Sequence, residues 1–313
     1  MPLSQDQLTR IKTLRGLFLD EGRPGLALPD YWRDTQDLAA YDTLLAARIG
    51  WKWNAVLAEC RARGLPHDPQ AVVLDFGCGT GIAARRYLAH FPAGEVLCHD
   101  RSPKARTFAM QRLLAEAPTV KARPTASIDG LAPDVLLVSH VLGELDEAGG
   151  AALRALIARS HTVILVDPGS RTVSRALSTL RDELRGSFHV VAPCPHAEAC
   201  PALASPTDWC HFFAEPPPEV FTSGEWVRTA RDVGIDLRAL PYSFLALSKT
   251  PATTPPPPHR LLGRADVSRH TATLSACTAS GLQPLEVRKR DQAPLWRQLK
   301  KDPAGLRTLP KAP

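Results

Sequence analysis

Asp75-Phe76-Gly77-Cys78-Gly79-Thr80-Gly81 is the stretch that decides how this chain folds. It closes a short apolar run, Ala71 to Asp75, and a helical pattern follows from about Ile82. Glycines let the backbone turn sharply and approach a ligand closely, because no Cβ intervenes. The free amides at the start of the following helix favour an electron-rich group. Asp100 ends the next apolar run, Val96 to Asp100, where a carboxylate can accept hydrogen bonds from both hydroxyls of a ribose. A glycine turn with no ligand is the bland alternative. The placement between a strand and a helix, with an acid ending the second strand, argues for a nucleotide-type cofactor.

Outward from this loop the pattern repeats. Asp134 to Ser139 and Thr162 to Asp167 read as further buried strands, and Lys104 to Glu116 and Ala151 to Arg159 as the helices between. Such alternation predicts an α/β fold with a mostly parallel, doubly wound sheet. Thr172 to Leu184 reads as a helix, and Phe188 to Val191 and Tyr242 to Ser248 as later strands. Upstream, Leu8, Ile11, Leu14, Leu17 and Phe18 predict a helix from about Ser4 to Leu19, and a second helical region spans about Leu38 to Arg63. Trp51 and Trp53 are expected in its packing.

The form Asp-x-Gly-x-Gly-x-Gly resembles the first motif of class I S-adenosylmethionine-dependent methyltransferases. The resemblance implies a Rossmann-like sheet in which Asp75, Gly77, Gly79 and Gly81 line the cofactor and Asp100 holds its ribose, with Ser139 also at the pocket. A nicotinamide enzyme is the competitor, and the glycine spacing argues against it. Ser139-His140-Val141-Leu142-Gly143-Glu144 follows the fourth strand, at the edge where substrate usually enters. Amino-methylating enzymes often carry Asn/Asp-Pro-Pro-aromatic there, and this chain does not. His140 is the candidate general base, since imidazole titrates near neutrality; a purely structural histidine is the competing reading. Asp167-Pro168-Gly169 is expected to shape the pocket floor.

A second constellation lies downstream. Cys194-Pro195-His196-Ala197-Glu198-Ala199-Cys200-Pro201 is followed by Asp208-Trp209-Cys210-His211-Phe212. Three cysteines in one Pro-rich loop point to thiolates that hold zinc or an iron–sulfur cluster. Cys277 is the candidate fourth ligand, with His196 and His211 as alternatives. Cys60, Cys78 and Cys98 read as ordinary buried thiols. His196-Ala197-Glu198 matches half of a zinc-deaminase motif, but the Pro-Cys-x-x-Cys half is missing.

The cysteine loop, the glycine loop, Ser139 to Leu145, Asp167 to Gly169 and Cys277 together resemble the mitochondrial small-ribosomal-subunit methyltransferase-like family and its bacterial relatives. The likeness covers roughly Val73 to Arg290. It implies that Cys194, Cys200, Cys210 and Cys277 bind a four-iron four-sulfur cluster, and that the protein acts at the small ribosomal subunit and its rRNA. Basic residues usual after the Cys-His-Phe run are replaced by Phe213-Ala214-Glu215 and Pro216 to Pro218.

Bulk properties fit these readings. The chain has 313 residues, 44% hydrophobic and 22% charged, which suits a packed soluble protein. No apolar stretch is long enough for a membrane span, Met1 to Arg15 lacks a signal-peptide core, and seven cysteines without an export signal point to a reducing, cytoplasmic setting. From Arg260 onward eleven Lys and Arg face four Asp and Glu, so that the tail carries +7 of the net +6 and the rest −1. Arg288, Lys289, Arg290, Arg297, Lys300 and Lys301 are the expected phosphate contacts. Thr271 to Cys277 and Leu282 to Val287 predict a hairpin around Gly281.

The expected organisation is a helical region, 1–65; a Rossmann-type domain, 66–250, with a Cys-rich insertion, 193–218; a Pro-rich linker, 251–259; and a basic C-terminal β segment, 260–313. A monomer with no membrane partner is expected. The leading function is S-adenosylmethionine-dependent rRNA methylation or ribosome assembly. A non-catalytic rRNA-binding assembly factor and a small-molecule methyltransferase with structural zinc are the rivals.

Overall fold

A computed structural model describes residues 3–18 and 30–309. Helices α1 (Gln5–Phe18), α2 (Thr35–Tyr41) and α3 (Ala47–Ala62) come first. They are followed by β1 (Val72–Phe76), α4 (Ile82–His90), β2 (Glu95–His99), α5 (Pro103–Glu116), β3 (Lys121–Thr125), β4 (Val135–Ser139), α6 (Glu147–Arg159) and β5 (Thr162–Pro168). The remainder is α7 (Arg171–Leu184), β6 (His189–Ala192), β7 (Phe212–Phe213), α8 (Glu219–Thr222), α9 (Gly224–Val233), β8 (Pro241–Ser248), β9 (Arg260–Val267), β10 (Thr271–Thr278), β11 (Gly281–Arg288) and α10 (Ala293–Lys301). Leu19, the expected end of the first helix, lies outside the described residues. The chain divides into two compact units: Met1–Ala58 with His67–Val166 and Glu215–Leu240, and Glu59–Pro66 with Asp167–Ala214 and Pro241–Pro313.

In the first unit five parallel strands run in the order β3-β2-β1-β4-β5. The chain therefore moves outward from β1 to β3, then returns to start β4 on the other side of β1. That reversal opens a crevice at the carboxyl ends of β1 and β4, where ligands of such sheets bind. β1 and β4 read as continuous apolar runs because helices cover both faces, and Val135 to Val138 are all buried. β3 is different. Lys121-Ala122-Arg123-Pro124-Thr125 is an edge strand, mostly exposed and interrupted by proline, so it carries no apolar signal. The fold is a mixed α/β, Rossmann-type architecture with helices at its N-terminal end.

The expected helix over Leu38 to Arg63 is two helices joined by a π turn, Asp42–Ala46. The extra residue turns the Asp42 carboxylate toward Arg85 (2.6 Å) and Arg112 (3.0 Å). Ile11, Ala40 and Leu44 pack with Val220, Val233, Ile235 and Leu237, so α8 and α9 complete the helical core that α1 begins. Trp53 is fully buried, and Trp51 packs edge-on against Trp226.

In the second unit β8 pairs antiparallel with both β6 and β7. β9, β10 and β11 form a separate antiparallel sheet. The expected hairpin is present, with Cys277 opposite Leu282. β9 adds a third strand whose pattern is obscured because Arg260, Leu261 and Leu262 are all buried in succession. One face of this sheet, including Leu261, Ala265, Leu274 and Val287, packs on Trp296 and Leu299 of α10. Its other face carries Arg260, Leu262 and Cys277 to the cysteine loop. The Pro-rich segment is tied down: Thr253 and Thr254 donate their amides to the carbonyls of Gly64 and Arg63 (3.2 and 3.1 Å). Among the described residues no helix is long and apolar enough to cross a membrane.

Candidate functional site

The first candidate site lies at the carboxyl ends of β1, β2 and β4. Gly77, Gly79 and Gly81 all take positive φ, at 70°, 51° and 76°. A Cβ on Gly77 would stand 2.5 Å from the Val141 side chain, whereas a Cβ on Gly79 would enter open space. The loop thus has a packed position and a vacant cradle two residues apart. Asp75 is fully buried in β1, its Oδ2 accepts from the Ala84 amide (3.2 Å), and its Oδ1 has no partner among the described residues. Burial, with Asp100 nearby, pushes this carboxyl up to about 7. Asp100 accepts the Gly79 amide on one oxygen (3.0 Å) and the Ser102 amide on the other (2.9 Å). Burial also raises its pKa, against the pull of those amides. An orphaned carboxylate oxygen, an open glycine and an amide-braced acid fit a cofactor with a positive centre and a ribose.

Ser139 and His140 leave β4 on the opposite wall. Ser139 Oγ accepts from the indole of Trp53 (2.9 Å). His140 adopts φ 57°, and its amide donates to the Val166 carbonyl (2.9 Å). A non-glycine residue in the left-handed region is uncommon and costs backbone energy. Burial, together with Lys52 and Arg48, holds its imidazole well below neutrality, and the buried Nε2 has no partner among the described residues. The ring is therefore neutral, with a free nitrogen. Trp53, Arg48 and Lys52 had no motif to mark them; they come from α3 and reach the wall only through the tertiary fold.

The second candidate site is in the cysteine loop. Cys194, Cys200, Cys210 and Cys277 line one cavity, together with Arg181, His196, Arg260 and Leu262. Among the described residues no three His, Cys, Asp or Glu side chains meet closely enough to hold a single ion. The thiols surround a space rather than a point. Burial and the neighbouring sulfurs push Cys194 and Cys210 up, and Cys277 up to about 12. Ligation must therefore displace protons from these thiols. Four cysteines are a donor set that either zinc or an iron–sulfur cluster accepts. His196 Nε2 lies 3.5 Å from Cys277 Sγ. His211 is elsewhere, stacked on Trp209 with its edge against Gly263. Cys60, Cys78 and Cys98 are buried away from the cavity.

One helix holds this loop in place. Arg175 of α7 donates to three carbonyls of the loop, Ala202, Ser205 and Asp208 (2.9, 2.7 and 2.8 Å). Arg181 donates to the carbonyls of His196 (2.8 Å) and Glu198. Asp182 accepts the Cys200 amide (2.9 Å). Ser174, Arg175, Ser178, Arg181 and Asp182 recur at helical spacing, and Ser174, Ser178 and Arg181 are buried, the signal that could have announced this role. The β9 strand closes the other side. The Gly263 amide donates to the His211 carbonyl (2.9 Å), and Arg260 is held by the Glu59 carboxylate.

Three solved structures show how far the likeness to known proteins goes. A Pyrococcus horikoshii protein assigned as an RNA methyltransferase is 18% identical over 77% of this chain and 99% of its own, with a TM-score of 0.38. The plantazolicin methyltransferase BpumL, solved with SAH, is 12% identical over 79% of this chain and 97% of its own, at 0.42. The methyltransferase domain of a bacterial Hen1 is 13% identical over 63% and 97%, at 0.40. At these scores the fold rests on the chain's own strand order. No curated protein matches the sequence. A family description does: mitochondrial small ribosomal subunit Rsm22 matches residues 39–305, a span that takes in the glycine loop, the cysteine loop and Cys277. The chain belongs to the Rsm22 family.

Proposed function

We propose that this chain is an S-adenosylmethionine-dependent methyltransferase-like protein of the small ribosomal subunit, acting in rRNA methylation or subunit assembly, with a four-iron four-sulfur cluster on Cys194, Cys200, Cys210 and Cys277. The observation that carries the reading is the enclosure of one cavity by four cysteines from two distant segments, in a chain of the Rsm22 family. A single zinc draws its sulfurs to about 2.3 Å from one point.

At the first site, S-adenosylmethionine would supply an activated methyl group. Asp75 offers its unpaired oxygen to the positive methionine end, Gly79 leaves room for the ligand, and Asp100 accepts from the ribose. His140 would be the base of such a transfer, but burial holds its imidazole well below neutrality and so makes it a weak one.

A second reading, a non-catalytic rRNA-binding assembly factor, is favoured by the exit of β4. There Trp53 holds Ser139 and Val141 packs against Gly77, in place of the Asn/Asp-Pro-Pro-aromatic motif. The test is anaerobic purification with iron, zinc and acid-labile sulfide measured together. It is followed by co-sedimentation with small subunits and labelled methyl transfer onto subunits from a deletion strain. Iron with matching sulfide and subunit binding support the proposal. Zinc without sulfide and no rRNA binding at low salt revert it to a zinc-stabilised small-molecule methyltransferase. Cofactor binding without transfer selects the assembly factor.

A further inference from the structure

Arg181 of α7 and Arg260 of β9 both line the four-cysteine cavity. Charged groups are costly to bury unless paired, and these two are nearly inaccessible, at 2% and 3% exposure. Each is bonded at its outer nitrogens only. Arg181 Nη1 donates to Asp182 (2.6 Å) and the Glu198 carbonyl, and Nη2 to the His196 carbonyl (2.8 Å). Arg260 grips both oxygens of Glu59 through Nη1 and Nη2. Among the described residues, the buried Nε–H of each has no partner. A lone orphaned donor is a packing fault; two of them, on residues from two elements that line the same cavity as four thiols, describe a site that expects an acceptor.

We propose that Arg181 and Arg260 are the built-in counter-charges of this cavity, giving their free Nε–H groups to the sulfur atoms of the bound cluster and raising its reduction potential. The inference rests on the four-cysteine cluster reading. Four cysteinates around a four-iron four-sulfur core leave the assembly net negative, and one added electron makes it more so while breaking no bond. Buried cations and hydrogen bonds to sulfur favour the more negative state. Glu59 and Asp182 oppose the effect, but neither carboxylate lines the cavity, so the arginines are the nearer charges.

The experiment is a redox titration of anaerobically purified full-length protein, with dithionite as the one-electron donor and the cluster spectrum as the readout. Arg181→Gln and Arg260→Gln are expected to lower the midpoint potential while keeping iron and sulfide. Arg260→Lys, which keeps charge but loses the Nε–H, is expected to fall between wild type and Arg260→Gln. Glu59→Gln is expected to shift the potential the other way. A folded Arg260→Gln that loses iron while Arg260→Lys keeps it also supports the proposal. Midpoints equal to wild type in the Arg→Gln variants, or in Glu59→Gln where those fail to fold, overturn it. Wild-type protein without iron and sulfide sinks the cluster reading itself, a result visible before any variant is made.

Discussion

Cys277 on β10 stands directly opposite Arg260 on β9, and both side chains enter the same cavity as the three loop cysteines. The tail's single cysteine and the cation fixed by Glu59 thus arrive side by side. A metal group held there binds the β9–β11 sheet to the loop anchored on α7, so that binding free energy becomes folding free energy for that junction. Cys277→Ser should loosen the β9–β11 segment and leave the parallel sheet of the first unit intact. Limited proteolysis should cut the tail about tenfold faster, the change that about 1.4 kcal/mol of opening free energy makes. Equal protection in the mutant would sink this link.

Asp75 should make the cofactor-free protein less stable as pH rises. Its folded pKa is raised to about 7. The folded state therefore holds this proton where the unfolded state has lost it, and stability falls between roughly pH 4 and 7. The penalty is complete above pH 7, at most on the order of 4 kcal/mol. Asp75→Asn removes it. The new amide has no partner where Oδ1 stands, which takes back about 1–3 kcal/mol. The expected result is a higher Tm than wild type at pH 8, no such gain near pH 4, and loss of S-adenosylmethionine binding. A variant with the same pH slope as wild type would show that Asp75 does not titrate as described.

Gly77 and Gly79 should separate stability from binding. Both have positive φ, so alanine costs about 1–2 kcal/mol at either. At Gly77 the new methyl also meets Val141 at 2.5 Å, and the variant should unfold several degrees earlier. At Gly79 it meets nothing, so Gly79→Ala should keep most of its Tm while losing at least about tenfold in cofactor affinity, roughly 1.4 kcal/mol. Calorimetric titration and thermal melts of the pair decide this. Undiminished affinity in Gly79→Ala places the cofactor elsewhere.

The glycine loop and strands β1, β2, β4 and β5 were legible because each is a local pattern: an apolar run, a turn, a helix start. The cysteines were legible because three thiols in a Pro-rich loop have little packing purpose. What stayed hidden is non-local. β3 lies on an edge and needs no apolar face, so Lys121 to Thr125 looks like loop. Arg181 and Arg260 are arginines among 38 basic residues, and only their burial against the cavity distinguishes them. Trp53 belongs to a helix far upstream, and its bond to Ser139 is a product of the fold. The π turn, Asp42–Ala46, is a backbone feature between two helices that no residue type announces, so the apolar pattern alone joins them.

The basic face of α10 should carry salt-dependent RNA affinity. Arg297 and Lys301 are exposed one turn apart on α10, while the ammonium of Lys300 lies over the Trp296 ring, 5.2 Å from its centroid. Arg288, by contrast, is paired with Glu286 and has less to offer a phosphate. Replacing Arg297 and Lys301 by Gln removes two exposed cations. Binding to small-subunit rRNA should weaken, and the slope of log affinity against log salt should flatten by about 1.4–1.8. Filter binding across a salt series measures both. An unchanged slope means that α10 does not touch the phosphate backbone.

Arg175 tests whether the loop that carries Cys200 and Cys210 is preformed. Its Nη1 serves three carbonyls, those of Ala202, Ser205 and Asp208, and so closes the loop between the two cysteines. Arg175→Ala leaves the Ser205 carbonyl with the Asp208 amide (3.3 Å) but takes the arginine from the carbonyls of Ala202 and Asp208. If water reaches one of them, the cost is still about 1–3 kcal/mol for the other. Lysine carries the charge but presents no planar fork, and its shorter reach serves fewer of the three. Both variants should lose iron to a chelator faster than wild type, alanine more than lysine, while the parallel sheet melts at an unchanged temperature. Iron loss at the wild-type rate in Arg175→Ala would mean that the cysteines hold the loop and α7 merely packs beside it.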